Sequence, residues 1–410
     1  MPQQPYTSAD LPSGTDAPLC VLPWIHAHIG TSGDVNLCCV SSGSAGNIRL
    51  KPIAELFASD LFRTAREQML DGKWPAACRQ CHQREAMKLR SFRQSNNEIF
   101  ATHYRQLRSG ASPPEARIRS VDLRLNNVCN FKCRSCSGTD SNRWFHEHNI
   151  IYPNNPLDKS FQSFEDVPAF WEDFERDILP CLEEIHFAGG EPLLNQRHYL
   201  ILENLIRSGQ TGVRLFYNTN LSQLRFMHWD VVELWRHFTN LSISLSLDGV
   251  GRQGEYIRDG LDYDVWCENA RRIRSELPSA VLSLHFVVSI FNILHLPHHC
   301  RTILETGIVP ADCITFTFLE WPPYLSVQVL PTALKAQVAS ELRAWLDQTP
   351  ELGQGIRSQL DALIGFLQRN DLFPQHGESF LQKTRTLDRL RGQDAFALFP
   401  ELLAMVREGA

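Results

Sequence analysis

The chain has 410 residues, 43% hydrophobic and 21% charged, with a net charge of −6 and a pI near 6.2. That length is enough for two or three domains and a large buried core. The acid excess excludes a global positive field for nucleic acid or an anionic membrane, and no apolar run is long enough to span a bilayer.

In chain order, residues 1–18 are rich in Pro, Ser, Gly and Gln and are expected to be disordered. The opening MPQQPYTSADLPSGTDAPL has neither a basic nor an apolar region of the kind that makes an export signal. A cytoplasmic location is therefore expected. There, twelve cysteines would be reduced thiols, gathered for metal binding rather than for disulfides.

Residues 19–104 form a first segment with five cysteines. Cys20, Cys38, Cys39 and the C-x2-C pair Cys78/Cys81 supply thiolates at metal-binding spacing. Cys38 and Cys39 are adjacent, so in an extended segment they point to opposite sides and either one could be the ligand. His26, His28 and His82 are nearby alternatives, and a zinc ribbon would satisfy the same spacing. The stretch PIAELFASDLFRTAREQMLDGK predicts a helix stopped by glycine. A polar connector containing Ser-Pro-Pro follows, and its arginines Arg105, Arg108, Arg117 and Arg119 read as a solvated linker.

Over 117–325, β-rich runs alternate with helical patterns. The strands are SVDLRLN, EEIHFAG, VRLFYNTN, LSISLSLD, VLSLHFVVS and ITFTFLEW. Such alternation implies a parallel sheet with right-handed crossovers. Six units are too few for a closed eight-strand barrel, so a partial (β/α)6 TIM-like barrel is expected, with a doubly wound sheet as the alternative. Residues 331–410 read as amphipathic helices that close one side of it. Cys181, Cys267, Cys300 and Cys313 fall inside predicted elements and are expected in the core.

Polar motifs end successive strands, where a βα barrel assembles its site. After the first come Cys129, Cys133 and Cys136, in C-x3-C-x2-C spacing. On a helix their sulfurs would spread over about 10 Å of rise. Convergence needs a wrapping loop, which Asn126, Asn127 and Asn130 favour. Three thiolates without an adjacent fourth suggest an iron–sulfur cube with one open iron; a zinc site completed by a distant residue is the alternative. After the second strand come Gly189, Gly190 and Glu191, two glycines for close approach and an acid able to accept from an ammonium. After the third come Asn218 and Asn220, which could orient a ligand or cap a helix. After the fourth, Ser246 and Asp248 could bond a ribose diol, and Arg258 could pair with a carboxylate. Ser289 and Asn292 end the fifth.

The cysteine triplet, the GGE of 189–191 and the SLDG run with Arg258 resemble the radical S-adenosylmethionine (radical SAM) superfamily. In that family the three cysteines hold a 4Fe–4S cluster whose fourth iron takes the amino and carboxylate groups of S-adenosylmethionine. The resemblance implies that Gly189, Gly190, Glu191, Asn218, Asn220, Ser246, Asp248, Arg258 and Ser289 bind the cofactor. Many members carry an aromatic residue before the third cysteine, where this chain has Ser135.

The N-terminal C-x12-G-x4-C and C-x2-C resemble the SPASM and twitch auxiliary-cluster domains, which usually follow the core. This implies a second 4Fe–4S cluster on Cys20, Cys38, Cys78 and Cys81. The implied activity is reductive cleavage of S-adenosylmethionine and hydrogen abstraction by a 5′-deoxyadenosyl radical. The implied outcome is oxidation, cross-linking or epimerisation of a peptide or small-molecule natural product. A low-potential donor such as flavodoxin or ferredoxin is expected, and neither nucleic acid nor membrane as partner. Two alternatives are a non-enzymatic iron–sulfur or zinc module for electron transfer or scaffolding, and an RNA-modifying radical SAM enzyme. The GGE and SLDG motifs speak against the first, the acidic balance against the second.

Overall fold

The computed structural model describes residues 18–86, 90–109, 115–157, 163–350 and 352–408. The disorder expected over 1–18 falls outside these except at residue 18, and so does the Ser-Pro-Pro of the connector. The chain divides into two units. One takes the described residues as far as His28 with Asp34–Ile118, the other Ile29–Gly33 with Arg119 onward.

In the first unit, one turn of helix (Leu22–Ile25) leads into β1 (His26–Ile29), whose last residue is assigned to the second unit. β2 (Asp34–Asn36) and β3 (Gly46–Asn47) pair antiparallel, Asp34 opposite Asn47. The helix predicted over 52–73 forms as two, Ile53–Phe57 and Asp60–Leu70. Ser59 between them is extended (φ −63°, ψ 168°), the backbone of an N-cap, so the second helix starts afresh there. Helices Arg79–Ala86, Phe92–Ile99 and Ala101–Arg108 follow. Leu22, Trp24, Ile25, Met69, Phe100 and Tyr104 pack into a core that also takes in Cys20.

The second unit is built on six parallel strands: β4 (Ser120–Arg124), β6 (Glu184–Ala188), β7 (Arg214–Thr219), β10 (Leu241–Ser246), β12 (Val281–Val288) and β13 (Ile314–Phe318). Two-residue ladders join β5 (Lys132–Cys133) to β11 (Arg258–Asp259) and β8 (Arg225–Phe226) to β9 (Trp229–Asp230). The six strands lie side by side in chain order, each parallel to the next. A doubly wound sheet would reverse direction at a switch point; this one does not, so the partial barrel is the correct reading. Period-two alternation gives the sheet two chemistries. Val121, Leu123, Ile185, Phe187, Leu215 and Ile243 are completely buried on one face, each contributing roughly 1.5–3 kcal/mol. The opposite face is polar.

The C-terminal region is helical as expected, with Thr332–Gln348 and Gln354–Arg369. Near its end this region is broken by Pro400 into Ala395–Leu398, a 3-10 turn and Leu403–Glu408. Phe373–Arg391, inside the region expected to be helical, is the longest of the described helices. Among the described residues no helix is long and apolar enough to cross a membrane. Cys267 and Cys300 are buried as expected, whereas Cys181 and Cys313 are half-buried.

Candidate metal centres

In the first unit Cys20, Cys38, Cys78 and Cys81 line one pocket with Arg93, and Cys39 is not among the lining residues. A turn selects Cys38: Ser41 Oγ accepts from the Cys38 N–H (3.2 Å) and donates back to the Cys38 carbonyl (2.8 Å). Burial pushes the Cys78 thiol up to about 12 and raises Cys20, Cys38 and Cys81 as well. Facing them is the Arg93 guanidinium, itself paired with Glu85 at 2.8 Å. Four thiols around one space, Cys20 and Cys81 buried and Cys38 and Cys78 half-buried, fit a cationic guest that exchanges their protons for metal bonds. His82, an alternative ligand by sequence, stacks instead on Trp74.

In the second unit the segment after β4 is wired into a loop by its asparagines. Asn126 Oδ1 accepts from the Val128 N–H, Asn127 Nδ2 donates to the Gly138 carbonyl, and Asn130 Nδ2 donates to Ser222. Cys129, Cys133 and Cys136 come together on it. The Cys136 thiol and the Cys133 sulfur share a hydrogen bond, which lowers Cys133 and pushes Cys136 well up. Burial pushes Cys129 up to about 12. Several donors already face these sulfurs. The Phe131 N–H lies 3.5 Å from Cys129 Sγ, Asn220 Nδ2 3.8 Å from the same atom, and Arg258 Nη1 3.8 Å from Cys133 Sγ. Such donors stabilise thiolate and set the potential of a bound iron–sulfur centre. Among the described residues no three His, Cys, Asp or Glu side chains converge on the position of a single metal ion.

The glycines at 189 and 190 approach the cysteine loop itself. A Cβ on Gly190 would sit 2.2 Å from the Val128 carbonyl oxygen, and Gly189 has φ +120° with the Asn126 carbonyl 2.9 Å from its own Cβ position. The contact lets the Gly190 and Glu191 N–H groups donate to the Asn126 and Val128 carbonyls (3.0 and 2.8 Å). Glu191 is 2% exposed. Its carboxylate accepts from Thr219 Oγ1 (2.7 Å), the Asn220 N–H (2.7 Å) and the Leu193 N–H (3.1 Å). Burial outweighs these bonds and raises its pKa to about 7.

Asp248 and Arg258 are partners of each other. Arg258 Nε lies 2.9 Å from Asp248 Oδ2, with the side chains 10% and 1% exposed, and Asp248 Oδ1 accepts from the Val287 N–H (2.8 Å). Ser246 is half-buried on the polar face, in register with His285. Ser289 and Asn292 form a turn in which Asn292 Oδ1 accepts from the Ser289 N–H and Asn292 Nδ2 donates to the Asp248 carbonyl. Asn218 stands apart from the cysteines in a row the sequence did not suggest. His186 Nε2 is 2.6 Å from Asn218 Oδ1 and His186 Nδ1 3.3 Å from Asp122 Oδ2, across β4, β6 and β7. Also missed were Arg134, between the second and third cysteines, and its partners far along the chain. Strand alternation would have flagged His186; nothing local flags the partners of Arg134.

The radical SAM superfamily model matches residues 123–303, and the SPASM model, an iron–sulfur cluster-binding domain, matches residues 20–82. No curated protein sequence matches the chain. Among solved structures, anSMEcpe with bound AdoMet is 18% identical, covering 57% of this chain and 60% of that one, with a TM-score of 0.39. Streptococcus suis SuiB bound to precursor peptide SuiA is 14% identical, covering 67% and 60%, with a TM-score of 0.35. The chain thus spans about 60% of the length of these structures. The chain carries a radical SAM domain over residues 123–303 and a SPASM domain ahead of it in sequence.

Proposed function

We propose that Cys129, Cys133 and Cys136 hold a 4Fe–4S cluster with one iron left to S-adenosylmethionine, and that Cys20, Cys38, Cys78 and Cys81 hold a second. Bound there, cluster and cofactor supply reductive carbon–sulfur cleavage and a 5′-deoxyadenosyl radical that takes hydrogen from a substrate carbon. The residues of the chain do the positioning. Asn220 and Arg258 donate toward the cysteine sulfurs, Glu191 keeps one lone pair for an ammonium, and the glycines lock the cysteine loop against the second strand end. The substrate reading is a peptide or small natural product that is oxidised, cross-linked or epimerised. The polar face of the sheet, with His186, Asn218 and the serines of β10, suits a substrate rich in hydrogen-bonding groups. Electrons are expected from a flavodoxin- or ferredoxin-like donor.

The observation that carries the reading is the gathering of three thiols on one loop, with hydrogen-bond donors aimed at two of them. It is tested by anaerobic reconstitution with iron and sulfide, followed by reductant and S-adenosylmethionine. The expected result is about eight irons per chain, as for two four-iron clusters, and release of 5′-deoxyadenosine. Bound zinc with no nucleoside product would instead support the non-enzymatic module.

A further inference from the structure

The helix Phe373–Arg391 and the turn after it reach the cysteine loop from more than two hundred residues downstream. Arg134, within the triplet, has a side chain only 2% exposed. Its Nη2 donates to Asp388 Oδ1 (2.6 Å) and Gln393 Oε1 (2.7 Å), its Nε to the Tyr256 carbonyl (3.2 Å), and its guanidinium lies 3.7 Å over the Tyr256 ring. Asp388 accepts in turn from the Tyr256 hydroxyl and the Ala395 N–H, both at 2.8 Å. One turn further on, Arg391 (1% exposed) donates to the Lys132 carbonyl (2.9 Å) and to Glu147 Oε2 (2.6 Å). Gly392 then turns the chain with φ +64°, and Gln393 Nε2 donates to Asp259 Oδ1 (3.1 Å) on the strand that pairs with Lys132.

Together these contacts fix three successive residues of the loop. The Lys132 carbonyl is held by Arg391, the Cys133 carbonyl by Trp144 Nε1 (3.0 Å), and the Arg134 N–H by the Ile257 carbonyl (2.8 Å). Arg391 lies over the same Trp144 ring, at 4.8 Å. A buried arginine is costly unless every donor direction is met, and breaking one partner leaves a charge unpaired. Two such arginines, Arg134 on the loop and Arg391 on the helix, make the loop's shape depend on that distant helix.

We propose that the C-terminal helix is part of the cluster site. Arg134, Asp388 and Arg391 are positioning residues that hold the 132–136 backbone in the curve bringing Cys133 and Cys136 to a common centre. This rests on the reading that the triplet carries a cluster.

The test uses the full chain as Asp388→Asn, Arg391→Lys and, as a control on the exposed side of the helix, Arg389→Met. Two readouts are taken. Hydrogen exchange of the metal-free protein reports the loop directly. The rate of iron loss to a ferrous chelator from reconstituted protein reports the cluster, with the N-terminal cluster as internal reference. Loss of such supporting contacts typically costs roughly 10- to 100-fold in metal affinity. Asp388→Asn and Arg391→Lys should therefore speed exchange over 130–137 and accelerate loss of one cluster by about that factor. The second cluster and Arg389→Met should match the wild type. Unchanged exchange in both variants overturns the proposal, and so does faster exchange with unchanged iron loss. Should Cys129/Cys133/Cys136→Ala keep as much iron as the wild type, the cluster reading fails and the proposal with it. The exchange data would still report whether the helix holds the loop.

Discussion

Replacing Arg258 by Met removes one half of the Arg258–Asp248 pair without removing bulk. Both groups are almost wholly shielded, and Asp248 keeps only the Val287 N–H as partner. Removing one member of a buried pair costs about 3–5 kcal/mol because the other charge stays behind unpaired. With a urea dependence of about 2 kcal/mol per molar, the midpoint of the metal-free protein should fall by roughly 2 M. Adding Asp248→Asn removes the stranded charge while leaving an amide oxygen for Val287, so the double variant should recover most of that loss. The coupling energy in the cycle should be at least about 2 kcal/mol. The assay is urea unfolding of the four proteins under identical anaerobic, metal-free conditions. A midpoint shift below about 0.5 M for Arg258→Met, or simple addition of the two losses, would refute the idea that this pair is a sealed structural unit.

The raised pKa of Glu191 gives a signed pH effect. Its folded value of about 7 lies above the ordinary carboxyl range, so its contribution is complete below about pH 4.3 and is lost as pH rises through 7. Metal-free wild type should gain up to about 3 kcal/mol relative to Glu191→Gln between pH 8 and 4.5, read from urea midpoints across that window. Gly190→Ala should displace the cysteine loop, since its new methyl has no room against the Val128 carbonyl. Iron bound at the triplet should fall, and thermal unfolding should move down by an amount matching about 1–3 kcal/mol of overpacking. Cys38→Ser should abolish the N-terminal cluster while Cys39→Ser retains it, measured as iron per chain after reconstitution of each variant.

Much of the fold is legible because its signals are local. The six strands fall within a few residues of the predicted runs, since each alternates apolar and polar positions and ends in a turn-forming motif. The bounds of Phe373–Arg391 are harder to read because two of its buried positions, Thr384 and Asp388, are polar, which weakens the periodicity that marks an apolar helix face. The predicted helix over 52–73 missed the Ser59 restart, which rests on one residue's backbone angles. At the site, the residue types could be read but not their pairings. Arg258 looked available for a ligand because Asp248, ten positions away, looked available too; the two form an ion pair with each other. Arg134 looked unremarkable because its partner Asp388 is 254 positions away. Whether Cys38 or Cys39 faces the pocket depends on the turn closed by Ser41, which spacing does not encode.

The open iron at the triplet is tested most directly by electron paramagnetic resonance of the reduced, reconstituted protein before and after addition of S-adenosylmethionine. One of two cluster signals should change on addition in the wild type, and that signal should be missing from Cys129/Cys133/Cys136→Ala while the other persists. Spectra indifferent to S-adenosylmethionine, or a responsive signal that survives loss of the three cysteines, would contradict the account.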